Sequence, residues 1–116
     1  MADKLLKRGE IYYINNGPPN EKAKCEQAGI RPAVIISNDI GNFYSPVVVV
    51  AFLTTQNKKR LPTHVETFGT GKKSTILLEQ PTTVSKDRIT GKCVGKLSKA
   101  EMQEVDEALS VSLGLH

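Results

Sequence analysis

The polar residues best placed to do chemistry in this 116-residue chain stand at the ends of apolar runs. Arg31 precedes the run Ala33-Val34-Ile35-Ile36. Thr54, Thr55 and Gln56 close Val47–Leu53, and Glu79 and Gln80 close Ser74–Leu78. Loops converge on a stiff scaffold at the ends of strands, so side chains there can meet a ligand in fixed geometry. An Arg offers a planar fork of donors and a Thr adds a hydroxyl, a pair suited to gripping a phosphate. Residue types alone leave a plainer reading open, in which Arg31 makes a surface ion pair and Thr54 is an ordinary strand former.

Other chemistries lack their residues. The GxxxxGK[ST] and GxGxxG patterns are absent, so nucleotide cofactors have no usual cradle. Without CxxC or HExxH, no intrinsic metal site is expected, and no cofactor either. His64, in THVET, reads as a structural strand histidine, and His116 ends the chain. Cys93, in KCVGK, reads as a small buried hydrophobe. Cys25 sits beside Lys24, which favours a thiolate, although an exposed spectator thiol is the leading reading.

These groups need elements to hold them. Gly9–Asn15 reads as an apolar, aromatic strand that ends in a turn cluster. Residues 16–29 form a long polar connection, a length that in a small domain goes with function or mobility. Ala33–Ser37 is a β-branched strand, and residues 38–42 carry turn chemistry. Val47–Leu53, with four consecutive valines, is the strongest strand. Lacking period-2 alternation, it is expected to be buried on both faces or to lie in the wall of a tightly curved barrel. Residues 56–62 read as a basic hairpin tip with Lys58, Lys59 and Arg60, followed by strands at 63–68 and 74–78 around a turn at 69–73. Thr82–Val84 reads as an edge strand, because Pro81 cannot donate to a ladder. Residues 85–94 read as a helical turn followed by a strand. The clear helix is C-terminal: Ser98 and Glu101 form a capping box, Leu97 and Met102 a hydrophobic staple, and Met102, Val105, Leu109 and Leu113 recur at helical spacing before Gly114.

Composition bounds the rest. Hydrophobic residues make up 39%, which is globular. No window approaches the ~20 apolar residues of a membrane helix, and MADKLLKRGE lacks the apolar core of a secretory signal. Two cysteines are too few for a disulfide scaffold. A cytoplasmic location with no membrane contact is the expectation. The net charge of +4 divides unevenly: residues 1–98 hold 15 basic and 8 acidic groups, net +7, and residues 99–116 hold one and four, net −3. The body of the domain would attract a polyanion, though such a charge can also serve solubility alone.

The ordered segments RGEIYY (8–13), CEQAGIRPAVIISNDIGN (25–42), SPVVVVAFLTTQ (45–56), LPTHVE (61–66), STILLEQPTTVSKDRI (74–89) and VDEALSVSLGL (105–115) resemble the MazF/PemK toxins of type II toxin–antitoxin modules, especially the MazF branch of Gram-positive bacteria. They cover nearly the whole chain in family order. The resemblance implies a single domain over residues 1–116, mainly β with α: a small SH3-like β-barrel with a C-terminal helix, acting as a homodimer. It also implies a metal-independent endoribonuclease that cuts single-stranded mRNA at a short sequence. The RNA's own 2′-hydroxyl would be the nucleophile, leaving 2′,3′-cyclic phosphate and 5′-hydroxyl ends. A cognate MazE-like antitoxin would neutralise it and join it in DNA-binding autoregulation.

Carried onto this sequence, the resemblance assigns catalysis to Arg31 (phosphate stabilisation) and Thr54 (a hydrogen bond on the scissile phosphate). Substrate binding falls to Cys25, Glu26, Gln27, Thr55, Gln56, Glu79, Gln80 and Thr82, with Glu79 also a lesser candidate for acid–base work. The chain departs from the family at Cys25, where Ser or His is usual, and at Thr82, where Arg is common. Two other activities are kept as alternatives: a non-cleaving RNA-binding relative, and a gyrase-poisoning toxin on the same fold.

Overall fold

The computed structural model describes residues 5–17, 29–56 and 60–115. Seven strands and two helices follow in the order β1 (Glu10–Asn15), β2 (Ile30–Ile35), α1 (Asp39–Tyr44), β3 (Val47–Thr54), β4 (His64–Thr67), β5 (Ser74–Leu77), β6 (Thr82–Ser85), β7 (Ile89–Lys96) and α2 (Lys99–Leu113). A short 3₁₀ turn at Lys86–Arg88 leads into β7, as the sequence suggests. Every strand pair is antiparallel. The hydrogen-bonded order is β4-β5-β3-β2-β1-β7, with β6 paired to β3 alone.

Two hydrophobic cores explain the unbroken apolar run from Val48 to Leu53, while Val47 at its start is exposed. Val48, Val50 and Phe52 of β3 enter one cluster with Ile14, Ala33, Ile35 and Ile89, whereas Ala51 and Leu53 enter another with Ile11, Val34, Ile76 and Val105. Successive residues of a strand point to opposite faces. A strand with a core on each side therefore needs apolar residues at every position.

The curved β domain with a C-terminal helix is as expected, but its ladder is not a closed ring: it ends at β4 and β7. The two ends meet at a glycine contact instead. A Cβ on Gly95 of β7 would lie 1.9 Å from the Gly69 carbonyl oxygen at the end of β4, so only glycine permits this approach. Helix α2 packs over β4. Its capping box is formed, with the Ser98 hydroxyl accepting from the Glu101 N–H at 3.1 Å and the Glu101 carboxylate accepting from the Ser98 N–H at 2.8 Å. Burial pushes the Glu101 carboxyl up, but the Ser98 backbone, Thr67 hydroxyl and further hydrogen bonds outweigh it and hold the group below its ordinary value.

Three expectations differ from the structure. Strand β2 begins at Ile30, so Arg31 lies inside a strand rather than before one. Pro32 is tolerated there because it pairs with Tyr13 of β1, while the ladder to β3 starts only at Ala33. The turn residues 38–42 open the short helix α1, in which the Asn38 side chain caps the Gly41 N–H. Cys93 is exposed rather than buried, since β7 is an edge strand. Leu113 is 58% exposed, and Val105 and Ala108 are the residues α2 buries; the apolar stripe ends a turn before the helix does.

Candidate active site

The β2–β3 register pairs Ala33 with Phe52 and Ile35 with Val50. Continued by two residues, it sets Arg31 opposite Thr54. On the other side of β3, Thr54 pairs with Thr75 of β5, and Thr75 pairs with Glu66 of β4. Cross-strand partners project to the same face. Arg31, Thr54, Thr75 and Glu66 thus form one transverse row over four strands. Along β3 this face is core at Val50 and Phe52; Thr54 follows, still buried, and the row reaches solvent at Arg31 and Glu66.

Thr54 is the row's most enclosed member, 7% exposed. Its Oγ1 accepts the Gln56 N–H at 3.1 Å, fixing both the rotamer and the first step of the chain beyond β3. Two clefts flank Thr54 and Thr55, which line both. One, of about 230 Å³, holds Arg31, Tyr13, Lys72 and Ser74. The other, of about 260 Å³, holds Gln56, Arg60, His64, Glu66, Lys73 and Thr75. Adjacent lysines of the 69–73 turn therefore serve opposite clefts, and the Thr54–Thr55 ridge has cationic groups on both sides.

His64 is buried, with its ring placed by two bonds. Its Nδ1 accepts the Leu61 N–H at 3.3 Å, and its Nε2 lies 3.1 Å from Glu79 Oε2. With Nδ1 occupied as an acceptor, Nε2 carries the proton and donates it to the carboxylate. Glu79 Oε1 also accepts from the Thr63 hydroxyl at 3.4 Å. The histidine is thus a wall of the second cleft whose ring nitrogens are both engaged.

The structure unites only part of the residue set taken from the sequence. Arg31, Thr54, Thr55 and Gln56 meet at the two clefts. Glu79 reaches them only through His64. Gln80 and Thr82 line neither cleft, and the Thr82 hydroxyl donates to the Gln80 carbonyl at 3.0 Å. Cys25, Glu26 and Gln27 lie outside the described residues, as do Lys58 and Lys59. The flanks of residues 18–28 are joined beside Arg31: Asn16 N–H donates to the Gly29 carbonyl at 2.9 Å, and Gly29 N–H to that of Gly17 at 2.7 Å. Sequence reading overlooked Glu66, Lys72, Lys73 and Thr75. The period-2 pattern of THVET, which sets His64 and Glu66 on one face, is the one signal that could have found Glu66. Among the described residues, no three His, Cys, Asp or Glu side chains gather as metal ligands would.

This arrangement can hold a phosphate between a guanidinium and a hydroxyl, with lysines at either side for the flanking backbone. Comparison with known proteins points the same way. Residues 7–113 match the family of PemK-like, MazF-like toxins of type II toxin–antitoxin systems. The chain is 44% identical to Endoribonuclease EndoA of Bacillus subtilis (strain 168) over 116 residues, covering 96% of this chain and 97% of that one. It is 45% identical to Endoribonuclease MazF of Staphylococcus saprophyticus over 117 residues, covering 97% and 94%. Among solved structures, an endoribonuclease in complex with its cognate antitoxin, from a mycobacterial species, superposes with a TM-score of 0.78 at 27% identity, covering 95% of this chain and 96% of that one.

Proposed function

The chain belongs to the PemK-like, MazF-like toxin family of type II toxin–antitoxin systems, and from that membership we propose that it is an endoribonuclease that cuts single-stranded mRNA and is neutralised by a cognate antitoxin. The observation that carries this reading is the placement of Arg31 and Thr54 at one cleft, on facing positions of neighbouring strands. The antitoxin rests on the mycobacterial relative, which was solved with its own. Assembly as a homodimer and action in the cytoplasm belong to the same proposal. No described helix is long and apolar enough to cross a membrane.

In the proposed reaction the 2′-oxygen of the substrate attacks the adjacent phosphorus and loses its proton. The P–O5′ bond breaks, the leaving oxygen takes up a proton, and the products end in a 2′,3′-cyclic phosphate and a 5′-hydroxyl. Arg31 neutralises charge building on the non-bridging oxygens, and the Thr54 hydroxyl donates to one of them. The substrate supplies the nucleophile, so the protein's task is orientation and charge stabilisation. The same requirement separates RNA from DNA.

The test is cleavage of single-stranded RNA in EDTA by the wild type, Arg31→Ala and Thr54→Ala. Loss of one such donor is expected to slow cutting by about 100-fold or more, with 5′-hydroxyl ends on the wild-type products. Equal cutting by wild type and variants would overturn the reading.

A further inference from the structure

We infer that the cleft lined by Arg60, His64, Glu66 and Lys73 receives the nucleotide beside the scissile phosphate, and that Glu66 selects there a base carrying an amino group over uracil. This rests on the ribonuclease reading and adds a determinant of specificity to it.

Position comes first. Glu66 stands in the same transverse row as Thr54 but two strands away, with Thr75 between them. Two interstrand spacings set the Glu66 and Thr54 backbones about 10 Å apart, on a shared cleft. Backbone to backbone, that offset suits a nucleotide neighbouring the phosphate held at Thr54. Because Thr54 and Thr55 line both clefts, a strand with its scissile phosphate on Thr54 continues directly into the second one.

Charge then decides what Glu66 meets. A carboxylate repels phosphate, and the cleft already supplies Arg60 and Lys73 for the backbone. Its two oxygens are acceptors only. The edges of cytosine, adenine and guanine each offer an amino N–H to such a group. Uracil offers one N–H between two carbonyl oxygens, which oppose a carboxylate. Lys73 Nζ lies 3.5 Å from Glu66 Oε2, with both side chains about half exposed. Ion pairs of that kind are weak, so a base can displace the lysine, which then turns to phosphate. His64 cannot take this role, since both ring nitrogens are engaged.

The experiment uses a pool of single-stranded RNAs randomised around a cut site, with cleavage rates read by sequencing the 5′ ends. Wild type should prefer amino-bearing bases over uridine about tenfold or more at one position next to the cut. Glu66→Gln, whose amide can also donate, should reduce that ratio to about threefold or less there and leave ratios at other positions in place. An unchanged profile in Glu66→Gln, a uniform loss at all positions, or a wild type indifferent to uridine beside the cut would each overturn the inference. If the wild type cuts no RNA at all, the ribonuclease reading itself falls. A thermal melt of the variant matching wild type excludes misfolding as the source of the change.

Discussion

His64 Nε2 and Glu79 Oε2 lie 3.1 Å apart, and that bond ties the start of β4 to the chain just beyond β5. Together with Leu61 N–H on Nδ1 and the Thr63 hydroxyl on Glu79, it braces the return of the chain from the Thr54 side into β4. The role is positional: the imidazole shapes the cleft wall and has no ring nitrogen left for substrate.

His64→Ala should therefore lower stability by about 1–3 kcal/mol, the cost of stranding hydrogen-bonding groups of which one is charged. Glu79→Gln should cost less, since its amide oxygen still accepts from Nε2. Urea unfolding midpoints give both values. Cleavage by Glu79→Gln should fall less than tenfold, because Glu79 lines neither cleft.

Cations on the two sides of the Thr54 ridge should appear as separate phosphate contacts. For an RNA carrying a single 2′-deoxy sugar at the cut site, which binds without a nucleophile, the log–log slope of affinity against salt should shrink by about 0.7 in Lys72→Ala and again by about 0.7 in Lys73→Ala. Affinity measurements over a salt series check this. A lysine that leaves the slope unchanged touches no phosphate.

The glycine seam makes a graded prediction. Gly95→Ala would put a Cβ 1.9 Å from a backbone oxygen, whereas Gly69→Ala would put one 2.9 Å from the flexible end of Ile11. The first should destabilise the fold by about 3 kcal/mol or prevent folding, and the second by less. Thermal denaturation of the two variants should rank them in that order.

Glu101 links stability to acid. Its folded carboxyl is held below the ordinary value of 4.5, so near that pH the unfolded chain binds more protons than the folded one. Its contribution is complete above the ordinary value and is lost as pH falls through the lowered one. Glu101→Gln should therefore cost stability at neutral pH and progressively less in acid. Urea midpoints of the two proteins, followed from about pH 7 down to about pH 3, should converge.

Much of this was legible in one dimension. The capping box at Ser98 and Glu101, the edge strand after Pro81 and the two-sided burial of β3 from Val48 onward depend on neighbours within a few residues, where local chemistry leaves few options. Cys93 differs for the converse reason: it sits in a short stretch whose exposure is set by where the sheet ends.

By itself, the sequence determined the strands, the C-terminal helix with its caps, and the family resemblance that nominates Arg31 and Thr54 for phosphate binding. Tertiary structure alone decided which side chains share their face. Glu66 and Thr75 join Arg31 and Thr54 because β4 and β5 attach to the far side of β3 in one register. A shift of that register by one residue would turn the same side chains to the opposite face. Pairing between strands distant in sequence is fixed by the packing of both cores together, and no short stretch of residues encodes it.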